Sequence, residues 1–231
     1  EIATQFWQEI WKKRDDEATE EQMDHYLEHY NKRIPTRLRP KLPDLDDVLD
    51  AINSTPDSAA GPDGIPFALL RKFADQLAPI ILAIVKNLAA GIKPPSDFNL
   101  GKLFLFPKKR SILIHNTRPI TISNTLNRIV AKLMTKSITP ALQALIIECQ
   151  RGFVPGRNAN CSIEDLAEKF YNALENDHNY YVLFLDTHKA FDSIDHNFIK
   201  AVLRKIGMPD WFLNVVEGLL HDIRVKLILP G

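Results

Sequence analysis

The sequence predicts an α+β fold in which helices dominate the first two-thirds. Three observations carry this reading: apolar residues recur at helical spacing through most of the chain, residues 100–106 alternate and are followed across a basic loop by a second extended stretch at 118–122, and residues 180–185 form an unbroken apolar run between polar flanks.

Taken in order, residues 3–33 set Phe6, Trp7, Ile10, Trp11, Met23, Tyr26, Leu27 and Tyr30 among charges at near-helical intervals, which predicts one or two amphipathic helices. Prolines 35, 40 and 43 break that pattern. Asp44 is placed to cap a short helix over 44–53, and 54–66 reads as a turn-rich loop. Helical periodicity returns over 67–90 and stops at Gly91, the residue type that accepts a left-handed helix terminus without steric cost. Residues 100–106 and 118–122 predict a hairpin. Residues 124–147 predict a long helix interrupted or restarted at Pro140, 150–158 a Gly/Pro loop, and 162–175 a helix begun by Ser162 with Asp165 three places on. The run 180–185 has the pattern of a strand buried on both faces, and it ends in Asp186. Helices around 195–206 and 210–221, parted by Gly207 and Pro209, precede a strand over 224–229.

Composition narrows the class. With 45% hydrophobic and 25% charged residues and no apolar run of the roughly 18–20 residues a bilayer span needs, the chain reads as a globular protein with no membrane partner. It starts at Glu1 with no basic-then-apolar leader, so it reads as a mid-protein start without a secretory signal. Two cysteines, Cys149 and Cys161, are too few for a disulfide framework, which suits an intracellular setting. Net charge is zero, yet the average conceals a split. Residues 1–58 hold 14 acidic and 8 basic side chains, whereas no carboxylate lies between Asp97 and Glu148, where Lys102, Lys108, Lys109, Arg110, Arg118, Arg128, Lys132 and Lys136 cluster. Such a run is either a solvated face or a phosphate-binding one.

The chemistry points to residues 180–196. A carboxylate at the exit of a buried strand is held rigidly with its oxygens toward an open edge, a suitable ligand for a hard divalent cation. Asp186 fits that description; the plainer alternative is that it closes a turn, or that Asp192 caps the next helix.

LDTHKAFDSIDH (185–196) resembles motif A of reverse transcriptases, in particular those of LINE-type non-LTR retrotransposons, and other motifs stand in the family's order. SAAGPDGIP (58–66) resembles the first fingers motif, KLFLFPKK with TRPITIS (102–109 and 117–123) the second, and QRGFVPGRN (150–158) the third. The likeness runs from about residue 54 to the end. It implies a right-hand polymerase architecture with an N-terminal helical extension (1–53), fingers (54–179) and the start of a palm (180–231), and RNA-directed DNA synthesis in a parent protein of the nucleus. By the same resemblance Asp186 is the catalytic carboxylate and, with the Thr187 carbonyl, a ligand of magnesium, with manganese as the alternative ion. Thr187-His188 stands where the family more often carries an apolar or aromatic residue. Lys108 or Lys109, with Arg118, would hold the triphosphate of a deoxynucleotide, Ala190 would leave room for its sugar, and Phe191 would exclude a ribose. Gly61, Asp63 and Gly64, and likewise Gly152, Gly156 and Arg157, would lie along an RNA template and DNA primer.

The family also needs a Gln/Gly loop and a hairpin with two adjacent aspartates, and neither is found in these residues. The sequence therefore predicts an incomplete palm that needs the rest of the polymerase chain, and no activity from this segment alone. A non-catalytic RNA-binding or maturase-like module, or a degenerate mobile-element remnant, are the competing readings.

Overall fold

Asp44 and Asp47 cap one helix reciprocally: each carboxylate accepts the other's backbone N–H, at 3.0 and 3.1 Å, and α3 (Leu45–Asn53) starts between them. The computed structural model in which this is seen describes residues 2–12, 18–108, 113–176, 178–179, 181–187 and 190–228. Upstream lie α1 (Ile2–Trp11) and α2 (Glu20–Leu27), the latter opened by a capping box between Thr19 and Gln22. Downstream, 67–90 forms two helices instead of one. Phe73 leaves helical torsions (φ −118°, ψ 31°) and separates α4 (Phe67–Lys72) from α5 (Ala74–Ala89), while both keep apolar side chains such as Leu70 and Ala78 in the core. Gly91 follows with φ +84°, as its position required.

Strand β1 (Leu100–Pro107) pairs antiparallel with β2 (Thr117–Ser123), from Gly101 opposite Ser123 to Pro107 opposite Thr117. Helix α6 (Thr125–Leu145) runs unbroken through Pro140, where an interruption was expected. Ala141 and Leu145, both buried, hold its last turn against the core, which offsets the lost hydrogen bond at the proline. Helix α7 (Asn160–Glu175) begins two residues before Ser162, so its capping position falls on Ala159, which has no side-chain acceptor, and Asp165 pairs with Arg151 at 2.7 Å. After α8 (His196–Lys205) and α9 (Asp210–Leu220), β3 (Arg224–Leu227) lies parallel to β1, giving sheet order β2-β1-β3.

The core forms where α3, α5, α6 and α9 meet. Val48 and Ile52, Ile81 and Val85, Ile129 and Leu133, and Val215 are all at most 2% exposed, each pair set by the helical period. Each such side chain contributes about 1.5–3 kcal/mol by leaving water. At the core's edge, Lys136 binds Asp50 and holds its carboxyl below the usual value, first by the hydrogen bond and then by charge. That contribution is therefore present above the ordinary carboxylate range and lost as pH falls below it.

One buried amide ties the sheet to the helices. Asn99, 5% exposed, donates to the carbonyls of Gly218 (2.8 Å) and His221 (2.5 Å) at the end of α9 and accepts from Asn127 Nδ2 (2.6 Å). It thus satisfies carbonyls that the last turn of a helix leaves open, just ahead of β3. Asn99→Ala is expected to cost about 2–3 kcal/mol in urea unfolding, and Asn99→Asp to destabilise as well, since a carboxylate cannot donate to those carbonyls.

Candidate nucleotide and nucleic-acid site

The β1–β2 hairpin carries the candidate triphosphate ligands at its far end. Arg118 stands opposite Phe106, and the Lys108 amide donates to Asn116 O at 2.6 Å, so the ladder reaches the base of the loop. Pro119 is tolerated because β2 is the outer strand of the sheet. Lys108 and Arg118 are both exposed, and among the described residues no carboxylate pairs with either. Lys109 lies outside the described residues.

At the other end of the hairpin, the 58–66 loop is fastened to the start of α6. Asp63 N–H donates to Asn124 Oδ1 (3.0 Å), Thr125 N–H donates to Asp63 Oδ2 (3.3 Å), and Lys102 Nζ donates to Gly61 O (2.9 Å). A Cβ on Gly61 would come within 2.5 Å of Ser123 O, which explains the glycine; Gly64 holds φ +70°. Asn124 is a part of this site that reading the sequence did not single out, and Lys102, counted there within the basic run, proves to hold the loop. Asn124 directly precedes a helix, the one local signal available.

The 150–158 loop is braced from within. Arg157 donates to the carbonyls of Ile146 (2.9 Å), Ile147 and Gln150 (2.7 Å), so the guanidinium expected on a phosphate is turned to the backbone that leaves α6. Gln150 Nε2 binds Gly152 O at 3.1 Å, Gly156 turns at φ +79°, and Val154 anchors the loop at 6% exposure. Phe153 projects outward at φ +60° and meets Phe191 edge-on, ring centres 5.6 Å apart.

Residues 181–187 differ from expectation. They form no strand, and Leu183, Phe184 and Leu185 are 79–85% exposed. A strand is made by its neighbours' hydrogen bonds, and among the described residues no other strand lies beside this one. Tyr180, His188 and Lys189 lie outside the described residues. Asp186, Thr187, Ala190 and Phe191 are all exposed. Asp195, not Asp192, caps α8, with Oδ1 accepting from Asn197 and Phe198 (2.6 and 3.2 Å). Asp192 accepts from Trp11 Nε1 at 3.2 Å, which brings α1 to a cleft of about 690 Å³ lined also by Phe191, Asp195 and Val225.

Among the described residues no group of three or more His, Cys, Asp or Glu side chains could hold a metal. A single exposed carboxylate at 186 does not by itself fit a two-ion centre. No helix among them is long and apolar enough to cross a membrane.

Two outcomes are expected from this geometry. Arg157→Ala should accelerate proteolysis and amide exchange across 146–158 before it affects anything else, as the brace is local. Leu183→Asp with Leu185→Asp should reduce self-association in sedimentation, because the exposed apolar run is the surface prone to it.

Comparison with known proteins follows the same lines. The reverse transcriptase (RNA-dependent DNA polymerase) family matches residues 106–230, more than half of the chain. The chain is 26% identical over 175 residues to an uncharacterized 149 kDa protein of transposon TX1 from Xenopus laevis, covering 75% of the chain and 13% of that protein. It is 27% identical over 141 residues to a Pol polyprotein of a type-1 R2 retrotransposable element from Popillia japonica, covering 59% and 19%. It is 29% identical over 236 residues to the Pol polyprotein of type-2 element R2DM of Drosophila melanogaster, covering 94% and 20%. The chain thus spans between about an eighth and a fifth of these relatives. With the family matching more than half of the chain, and the 58–66 loop, the hairpin, the 150–158 loop and the 185–196 segment following one another in that order, the chain belongs to the reverse transcriptase family.

Proposed function

We propose that the chain is the front portion of an RNA-directed DNA polymerase of a non-LTR retrotransposon, comprising an N-terminal helical extension, the fingers and the first part of the palm. The observation that carries the reading is the hairpin: two exposed cations with no carboxylate partner among the described residues, at the tip of an antiparallel ladder inside the segment that matches the family. Phosphate recognition asks for that combination, with Arg118 gripping two oxygens at once and Lys108 acting as a point charge.

In the parent protein the primer 3′-hydroxyl would attack the α-phosphate of a deoxynucleoside triphosphate, forming the new P–O bond as pyrophosphate departs. The contribution of this chain is to hold the triphosphate on the hairpin, present Phe191 and Ala190 to the sugar, and let the 58–66 and 150–158 loops run along template and primer. Asp186 supplies one carboxylate. Magnesium binding would need further carboxylates from outside the described residues, joined to the 181–187 segment by strands that also pair it.

Three results test this. The parent polypeptide should extend a DNA primer on an RNA template, while the 231-residue chain alone should not. Arg118→Ala in the parent should raise the KM for deoxynucleotide by about 10- to 100-fold, as for loss of a charge-assisted bidentate contact, with little change in template–primer affinity. That affinity should fall steeply with salt. Equal loss of nucleotide and duplex binding in the variant would leave only a general basic face.

A further inference from the structure

We infer that Asp63 is a positioning residue: its carboxylate locks the 58–66 loop onto the junction of β2 and α6, and the lock sets where the hairpin holds Lys108 and Arg118. The functional half of this inference rests on the polymerase reading; the lock itself does not.

Asp63 is exposed, yet three features commit its polar atoms to the protein itself. Both carboxylate oxygens accept backbone amides, Oδ1 from Ile65 (3.1 Å) and Oδ2 from Thr125 (3.3 Å), while its own N–H goes to Asn124 Oδ1 (3.0 Å). The exchange between Asp63 and the Asn124-Thr125 pair is reciprocal in the manner of a capping box but spans 61 residues of chain, and it sets the carboxylate at the N-terminus of α6, the end that favours negative charge. Second, the loop is fixed at further points: Lys102 on Gly61 O, Thr125 Oγ1 on Ile65 O (2.5 Å), and Arg128 on Ser58 Oγ (2.8 Å) and Ala59 O (2.9 Å) while it lies 4.7 Å over the Phe67 ring. Third, Asn124 is anchored on its far side, Nδ2 to Asp97 O (2.7 Å), so the junction is held from both directions.

The junction is the root of the hairpin. Ser123 pairs with Gly101 there, and Asn124 N–H bonds Leu100 O at 3.3 Å. Arg118 lies five positions farther along β2, which at about 3.4 Å per residue is a lever of roughly 17 Å. A tilt of about 10° at the root therefore moves the guanidinium by about 3 Å, as much as the length of a hydrogen bond. Loosening the root is enough to misplace a cation at the tip without touching it.

Asp63→Ala removes both acceptors, and Asp63→Asn keeps one oxygen. In the 231-residue chain, amide exchange at Thr125 should speed by on the order of tenfold in the alanine variant and less in the asparagine variant. In the parent polypeptide, Asp63→Ala should raise the KM for deoxynucleotide several-fold, with template–primer affinity nearly unchanged and Asp63→Asn in between. Loss of template–primer affinity with Thr125 protection intact would overturn the inference in favour of a nucleic-acid contact. Faster exchange with an unaltered KM would overturn the positioning role and leave a purely structural cap. A wild-type parent without templated synthesis would instead sink the polymerase reading, and the exchange measurement would still decide the lock.

Discussion

The first turn of a helix leaves N–H groups that nothing within the helix can accept, and at α6 the capping position belongs to Asn124, whose side chain is taken up by the Asp63 N–H and the Asp97 carbonyl. Asn124 makes no side-chain cap of its own helix, so the Thr125 amide takes Asp63 from a loop 62 residues earlier. That requirement draws the 58–66 loop, the end of β2 and the α6 terminus into one unit. The end of α9 is treated in the same way, by Asn99 from the start of β1. The sheet is therefore fastened to the helical core by side chains that satisfy helix ends from a distance, and the hairpin is aimed by those two fastenings.

The basic stretch resolves into two kinds of cation. Arg128 and Lys132 reach inward: Arg128 to Ser58 and Ala59, Lys132 to Ser54 Oγ (2.8 Å) and Thr55 Oγ1 (2.7 Å), and partial burial lowers both pKa values. Lys136 pairs with Asp50, and Lys102 holds Gly61. Lys108 and Arg118 remain in the open on the hairpin. A field that looks uniform in sequence thus divides into cations that bind the protein's own backbone and side chains and cations left exposed on the hairpin.

The 181–187 segment illustrates the reverse case. Its apolar run marks a strand that would be buried on both faces, yet it lies exposed, because hydrogen-bonded neighbours and covering layers are what turn such a run into a strand. Asp186 shares its exposure. Trp11 on Asp192 shows that the N-terminal helix packs against this region, a contact no local pattern announces.

Local chemistry by itself determined the helices with clear periods, the capping by Asp44, the glycine terminus at position 91 and the alternating hairpin, since each depends on residues within one or two turns. The motif order made the family legible from the same string. Tertiary structure alone decided that β3 joins β1 in parallel, that Arg157 braces a loop, that Asp63 and Asn99 close helix ends far away, and that 181–187 pairs with no strand among the described residues. The physical reason is that a polar group's partner is fixed by proximity in space, whereas sequence displays only proximity along the chain.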